Sequence, residues 1–250
     1  MKLIHKFKSP NFNNRKSSTI IFIIIHYTAL RTVAESIKHL CSKKNKVSCH
    51  YLISKNGEIY NLVSEKKRAW HAGESYWNGE IDINSKSIGI ELDYSYYKEN
   101  NLFSKKLINS LYKLLNILIS KYKILPKNIL GHSDIAPYRK KDPGKNFPWH
   151  LLQKKNLAFE IKKLNYRKKP KTIIYTWFKI NKLNSKKKRI LFMLNFIGYD
   201  TSKASINNVH YKNLLLAYNN RFRYYKNLNY NYKNIFNVIE LHLINILLTK

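Results

Sequence analysis

The sequence predicts an α/β (α+β) fold: a mixed central β-sheet with flanking helices, followed by a small all-α helical bundle. Three observations carry this. Residues 20–25 form an apolar, β-branched run, IIFIII, that suits a central strand buried on both faces. Strand-like and helix-like segments then alternate as far as about residue 160, while one Asn-Gly pair between apolar runs marks a local hairpin, so the sheet is mixed. Beyond residue 171 only helical periodicity remains.

The elements follow in order. After the first central strand, residues 32–42 read as a short helix begun by Thr32, an N-cap residue type. HYLISKNGEIYNLV places Asn56-Gly57 between two alternating runs, the signature of a hairpin. Residues 87–92, SIGIEL, set Ile88, Ile90 and Leu92 on one face of a strand. Glu91 then projects from the other face, beside Gly89, which has no side chain. From Lys105 to Tyr122, residues Leu107, Leu111, Leu114, Leu115 and Leu118 keep helical spacing, and Pro126 stops the pattern. A last strand, 128–131, leads into GHSDIAPYRKKDPGKNFPW. NYRKKPK, residues 165–171, is polar and holds Pro170, so it reads as a linker between a unit at 1–164 and a helical unit at 172–250. Helices are expected there at 190–197, closed by Gly198, at 205–225 and at 232–248.

Composition narrows the function classes. The 250 residues hold 47 Lys+Arg against 14 Asp+Glu, a formal charge of +33. Such a balance invites a nucleic-acid reading, yet only 8 of the basic residues are Arg, and Asn and Ile each occur 30 times. This is the profile of a sequence drifting toward A/T-rich codons. The charge is also diffuse, +15 over residues 1–150 and +18 over 151–250, so no specific nucleic-acid partner is expected. Seven Gly, six Pro and two Cys exclude collagen and disulfide scaffolds. No apolar run approaches the roughly 18 residues of a transmembrane segment. The first 16 residues show no apolar signal core, which makes the cytoplasm the expected address. A monomer is the expected state.

Chemistry concentrates at three residues. His26 ends the first central strand, His132 ends the last, and Asp142 follows ten residues later in a loop containing Pro137 and Pro143-Gly144. Two imidazoles and one carboxylate leave one tetrahedral position open, the arrangement of a catalytic zinc rather than a closed structural one.

IIHYTA (24–29), SCHYLI (48–53), AWHAG (69–73), SIGIEL (87–92) and GHSDIAPYRKKDPGKNFPW (131–149), with the lead-in SPNFNNR (9–15), resemble the zinc-dependent N-acetylmuramoyl-L-alanine amidase family. That family is related to phage amidase-type lysozymes and peptidoglycan recognition proteins. The resemblance implies zinc (Zn2+) held by His26, His132 and Asp142, with Glu91 and Lys140 as catalytic residues. It also implies peptidoglycan or a muropeptide as substrate, cut between N-acetylmuramic acid and the L-alanine of the stem peptide. A non-catalytic peptidoglycan recognition module is the alternative. His50 and His71 are read as substrate contacts or as hydrogen-bonded structural residues. Trp70 is read as a sugar platform or core, and Arg139 as a stem-peptide carboxylate ligand or a partner of Asp134. HYTA and AWHAG look most like the outer-membrane lipoprotein type of amidase, which gives periplasm or outer membrane as the alternative address. LFMLNFIGYD (191–200) and LLLAYNNRFRYY (214–225) weakly resemble a three-helix peptidoglycan-binding domain. All candidate catalytic residues precede Pro143, so the helical unit is expected to supply wall affinity or stability and to take no part in bond cleavage.

Overall fold

The computed structural model describes residues 2–95, 102–162, 169–222 and 234–248. Its main sheet has six strands in the order β1-β5-β4-β7-β3-β8. These are β1 (Leu3–Ile4), β3 (Phe22–Tyr27), β4 (Tyr51–Ile53), β5 (Ile59–Asn61), β7 (Ser87–Leu92) and β8 (Ile129–Gly131). Strands β4, β7, β3 and β8 are parallel to one another, while β4 and β5 form the antiparallel hairpin around Asn56-Gly57. The sheet is therefore mixed, as the sequence predicts. A separate pair, β2 (Phe12–Asn14) and β6 (Lys67–Ala69), straps the N-terminal segment across the domain.

Alternation along the central strands sorts their side chains between two cores. Ile23, Ile25, Ile88, Ile90, Leu92 and Ile129 face helix α3 (Lys105–Tyr122), whose Leu107, Leu111, Leu114, Leu115 and Leu118 are buried against them. Ser104 caps α3 by accepting from the Leu107 N–H, and Lys123 ends it in a left-handed conformation. Phe22, Ile24 and Leu130 point to the opposite face, into a core shared with the C-terminal helices. His26 has the parity of Phe22 and Ile24, so it lies on that second face.

Shorter helices complete the first part: α1 (Val33–Cys41), capped by Thr32, α2 (Ile83–Lys86), α4 (His132–Ile135) and α5 (Trp149–Lys154). The bundle contains α6 (Lys169–Ile180), α7 (Lys186–Ile197), α8 (Ser202–Ile206), α9 (Asn208–Phe222) and α10 (Ile235–Leu248). Ile174, Phe178, Met193, Leu194, Leu214, Tyr218, Ile239 and Leu243 fill its interior, in one cluster with Phe22, Ile24 and Leu130 of the sheet.

Two expectations need correction. Residues 169–171 of the expected linker belong to α6, whose early Pro170 suits a first helical turn, where the missing N–H has no partner to lose. Residues 163–168 lie outside the described residues. The helix expected at 205–225 is two helices, α8 and α9, separated by Asn207, whose side-chain oxygen accepts from the Val209 N–H at 2.7 Å. Residues 223–225, and 232–233 of the last expected helix, also lie outside the described residues.

Candidate active site

The parallel strands β3, β7 and β8 end side by side, and their C-terminal ends carry the chemistry, as in open α/β sheets generally. His26 near the end of β3 pairs in register with Glu91 of β7, and His132 follows directly on β8. The loop after α4 brings Asp142 back. Its carbonyl accepts from the Ser133 N–H at 2.8 Å, which fastens the two ligand-bearing segments together.

Three donor atoms converge. His26 Nδ1 lies 2.9 Å from His132 Nδ1 and 3.1 Å from Asp142 Oδ2, and His132 Nδ1 lies 3.0 Å from the same oxygen. All three residues are buried. Donors bound to a tetrahedral metal at 2.0–2.1 Å sit about 3.3 Å apart, close to these spacings.

The surrounding hydrogen bonds fix which nitrogens carry protons. His132 Nε2 faces the Ala72 carbonyl at 3.1 Å, which only accepts, so Nε2 is protonated and Nδ1 presents a lone pair. The Ser87 hydroxyl donates to the Ile83 carbonyl at 2.6 Å and therefore accepts from His71 Nε2–H at 3.1 Å. His71 Nδ1 is then an acceptor, and takes the His26 Nε2–H at 3.1 Å. His26 Nδ1 is left as a second lone pair. Two imidazole lone pairs and a carboxylate oxygen facing one another at about 3 Å repel unless a cation lies among them. The site thus fits a divalent metal, and the His71–Ser87 chain orients one of its ligands.

Gly89 makes the chain possible. A Cβ there would lie 2.4 Å from the His71 ring, so the glycine in SIGIEL is the space His71 occupies. The Asn84 side-chain oxygen accepts from the backbone N–H groups of His71 and Ala72, at 3.0 and 2.8 Å, and holds the loop that supports both histidine ligands.

Electrostatics suit this arrangement. Burial, reinforced by His132, lowers His26 to about 4. Burial and the neighbouring imidazoles hold His71 well below its usual value. For Asp142 burial acts upward, but the two imidazoles facing it outweigh that where no metal is bound, and the carboxyl is held far below the carboxylate range. Burial, then the Asp142 charge, raises Glu91 to about 8, against an opposing effect of Lys140. Glu91 Oε2 and Thr28 Oγ1 are buried and have no protein partner.

His26, His71, Glu91, His132, Lys140 and Asp142 line one cleft of about 260 Å³, which Trp70 and the α1 residues Ser36, His39 and Leu40 also line. Lys140 and Asp142, two residues apart, do face the same cavity. The other candidates lie elsewhere. His50 is fully buried and does not line the cleft; its Nδ1 accepts from the Gly89 N–H and its Nε2 donates to the Lys67 carbonyl, each at 3.0 Å. Trp70 is half-buried, with Nε1 donating to Asn13 Oδ1 at 3.0 Å, and belongs to the wall rather than the core. Arg139 donates to the carbonyls of Ala72 and Glu74, so it braces the carbonyl that orients His132. Asp134 pairs instead with Arg221.

Sequence reasoning assigned no role to Arg15, whose guanidinium donates to the carbonyls of Glu65, Asn84, Ser85 and Ser87 and ties the N-terminal strap to α2 and β7. SPNFNNR carried the only signal for it. Ser87 and Asn84 had no local signal, because their partners are brought together only by the sheet.

Comparison with known proteins matches the segment that carries this site. The family model described as N-acetylmuramoyl-L-alanine amidase matches residues 16–145, just over half the chain and every residue lining the cleft. The N-acetylmuramoyl-L-alanine amidase AmiD of Escherichia coli is 38% identical over 149 residues, covering 54% of this chain and 53% of that protein. The 1,6-anhydro-N-acetylmuramyl-L-alanine amidase AmpD of Escherichia coli is 42% identical over 104 residues, covering 42% of this chain and 55% of that protein. The chain thus spans about half the length of these curated relatives. A solved structure of the AmiD amidase from E. coli, in complex with anhydro-N-acetylmuramic acid-L-Ala-D-gamma-Glu-L-Lys, aligns over 95% of this chain and 92% of that one, with a TM-score of 0.71 and 27% identity. With a metal-ready His/His/Asp site on the expected strand ends and a family match across it, the chain belongs to the N-acetylmuramoyl-L-alanine amidase family.

Proposed function

We propose that the chain is a zinc hydrolase that cleaves the amide between an N-acetylmuramoyl group and the L-alanine of a peptidoglycan stem peptide. The observation that carries this reading is the set of three facing lone-pair donors, His26 Nδ1, His132 Nδ1 and Asp142 Oδ2, with the unpartnered Oε2 of Glu91 on the neighbouring strand. When bound there, zinc lowers the pKa of water to about 7 and polarises the amide carbonyl.

The chain's own residues do the rest. Glu91 takes the proton of the attacking water on its free Oε2 and later returns it to the departing alanine nitrogen. Lys140, across the cleft, donates to the oxygen on which negative charge develops. His71 and the Ala72 carbonyl hold the two imidazoles in their working tautomers. Trp70 and His71 form the wall against which the substrate lies, and His50 and Arg139 support the loops behind it. The catalytic unit is residues 1–164, and the helical unit includes α6 from Lys169 onward.

Incubation of the zinc-loaded protein with a defined soluble muropeptide, followed by mass analysis, tests the reading. The expected products are the free muramic acid sugar and a peptide with a new L-alanine amino terminus. Glycosidic cleavage, or no cleavage by protein carrying one zinc per chain, refutes it.

A further inference from the structure

Asp134 stands two residues after the ligand His132, in the short helix α4, and is almost completely buried. Its Oδ2 accepts from the Gly131 N–H at 2.7 Å, and its Oδ1 accepts from the Tyr199 hydroxyl at 2.7 Å. Arg221 forms an ion pair with Oδ2 through Nη1 and donates from Nη2 to the Ile129 carbonyl at 2.7 Å. The guanidinium lies 4.6 Å from the centre of the Trp149 ring. Tyr199 follows α7 and Arg221 lies in α9, so both side-chain partners of Asp134 come from the helical unit. Together they hold Asp134 and the Ile129 carbonyl, and Asp134 in turn holds the Gly131 N–H just before His132.

A buried carboxylate without a cation is strongly destabilising. Among the described residues of the amidase segment no cation reaches Asp134, because Arg139, the nearest in sequence, is engaged with the carbonyls of Ala72 and Glu74. The turn that aims His132 is therefore completed from outside the segment that carries the ligands. The imidazole has little tolerance there: Nε2–H must keep the Ala72 carbonyl while Nδ1 keeps its place 3.0 Å from Asp142 Oδ2. A shift of α4 spoils one of the two.

We infer that Arg221 and Tyr199 are positioning residues for the metal ligand His132, so that the helical unit completes the catalytic site as well as covering the sheet. This rests on the amidase reading above. Support for a ligand's geometry typically governs metal affinity and activity by 10- to 100-fold, whereas a helical unit serving wall affinity alone would act on binding of large substrates.

The test uses the full chain with Tyr199→Phe, Arg221→Met and Arg221→Lys, and reads zinc affinity by chelator competition together with kcat and KM on a soluble muropeptide. Tyr199→Phe removes one hydrogen bond and keeps the ring packed on Trp77, so it decides the matter even if Arg221→Met fails to fold. The expected result is zinc affinity weakened about tenfold or more and kcat lowered with KM within about twofold, with Arg221→Lys closer to wild type than Arg221→Met. Folded variants with unchanged zinc affinity and kcat overturn the inference, whatever their melting temperature, and so does a rise in KM alone. A wild-type protein that neither binds zinc nor cleaves the muropeptide would instead overturn the amidase reading.

Discussion

Replacing Glu91 by Gln separates catalysis from folding, because the same buried carboxyl acts on both in opposite directions. Burial, with the Asp142 charge added, raises Glu91 to about 8 in the folded, metal-free protein, against about 4.3 in an unfolded chain. The folded value lies above the unfolded one, so the stabilising contribution is complete below about pH 4.3 and is lost as pH rises toward 8. At pH 7 the difference amounts to roughly 3–4 kcal/mol working against the folded state. Glutamine has nearly the same shape and no ionisation. Urea melts of the metal-free proteins should therefore find Glu91→Gln more stable than wild type by about 1–3 kcal/mol at pH 7, since burying the amide offsets part of the gain. The difference should shrink toward zero near pH 4.5. On the zinc-loaded protein the same change should leave metal content intact and lower turnover at least about 100-fold, because an amide cannot take up the water's proton. Parallel pH–stability curves for the two proteins, or near-normal turnover in the variant, would refute the reasoning.

Other expectations follow from the same geometry. Asp142→Ala removes one of three donor atoms, and zinc content by elemental analysis should fall together with activity; full occupancy would mean the ion sits elsewhere. Ser87→Ala frees His71 to take the other tautomer, and chelator competition should show zinc affinity lower by about 10-fold, with no change expected in the far-ultraviolet circular dichroism. Leu111→Ala empties a fully buried position between α3 and the sheet and should cost about 2–5 kcal/mol in urea unfolding while leaving kcat unaltered once folded.

The parts of this molecule legible in the sequence are those whose determinants are local. Asn56-Gly57 marks the hairpin, a run of leucines between Lys105 and Pro126 marks α3, SIGIEL marks β7, and each is found where the pattern puts it. His26, His132 and Asp142 could be singled out because strand ends and a ten-residue loop place them in a recognisable order, and the structure brings them together. What stayed hidden depends on partners distant along the chain. His71 sits 45 residues from His26, and Arg221 sits 87 residues from Asp134. No spacing rule connects such pairs; only the finished sheet and the docked bundle do. Helix α6 is hidden for another reason: Pro170 signals a loop in the sequence, although it occupies a first helical turn.

The proposed mechanism requires a metal ion among three specific atoms of this chain. Crystals of the zinc-loaded protein, with anomalous data collected on both sides of the zinc absorption edge, test it directly. One strong peak per chain is expected, bounded by His26 Nδ1, His132 Nδ1 and Asp142 Oδ2, with His71 Nδ1 still accepting from His26 Nε2–H. A zinc ion bound through Nε2 of either histidine, or seated away from these three residues, would contradict it.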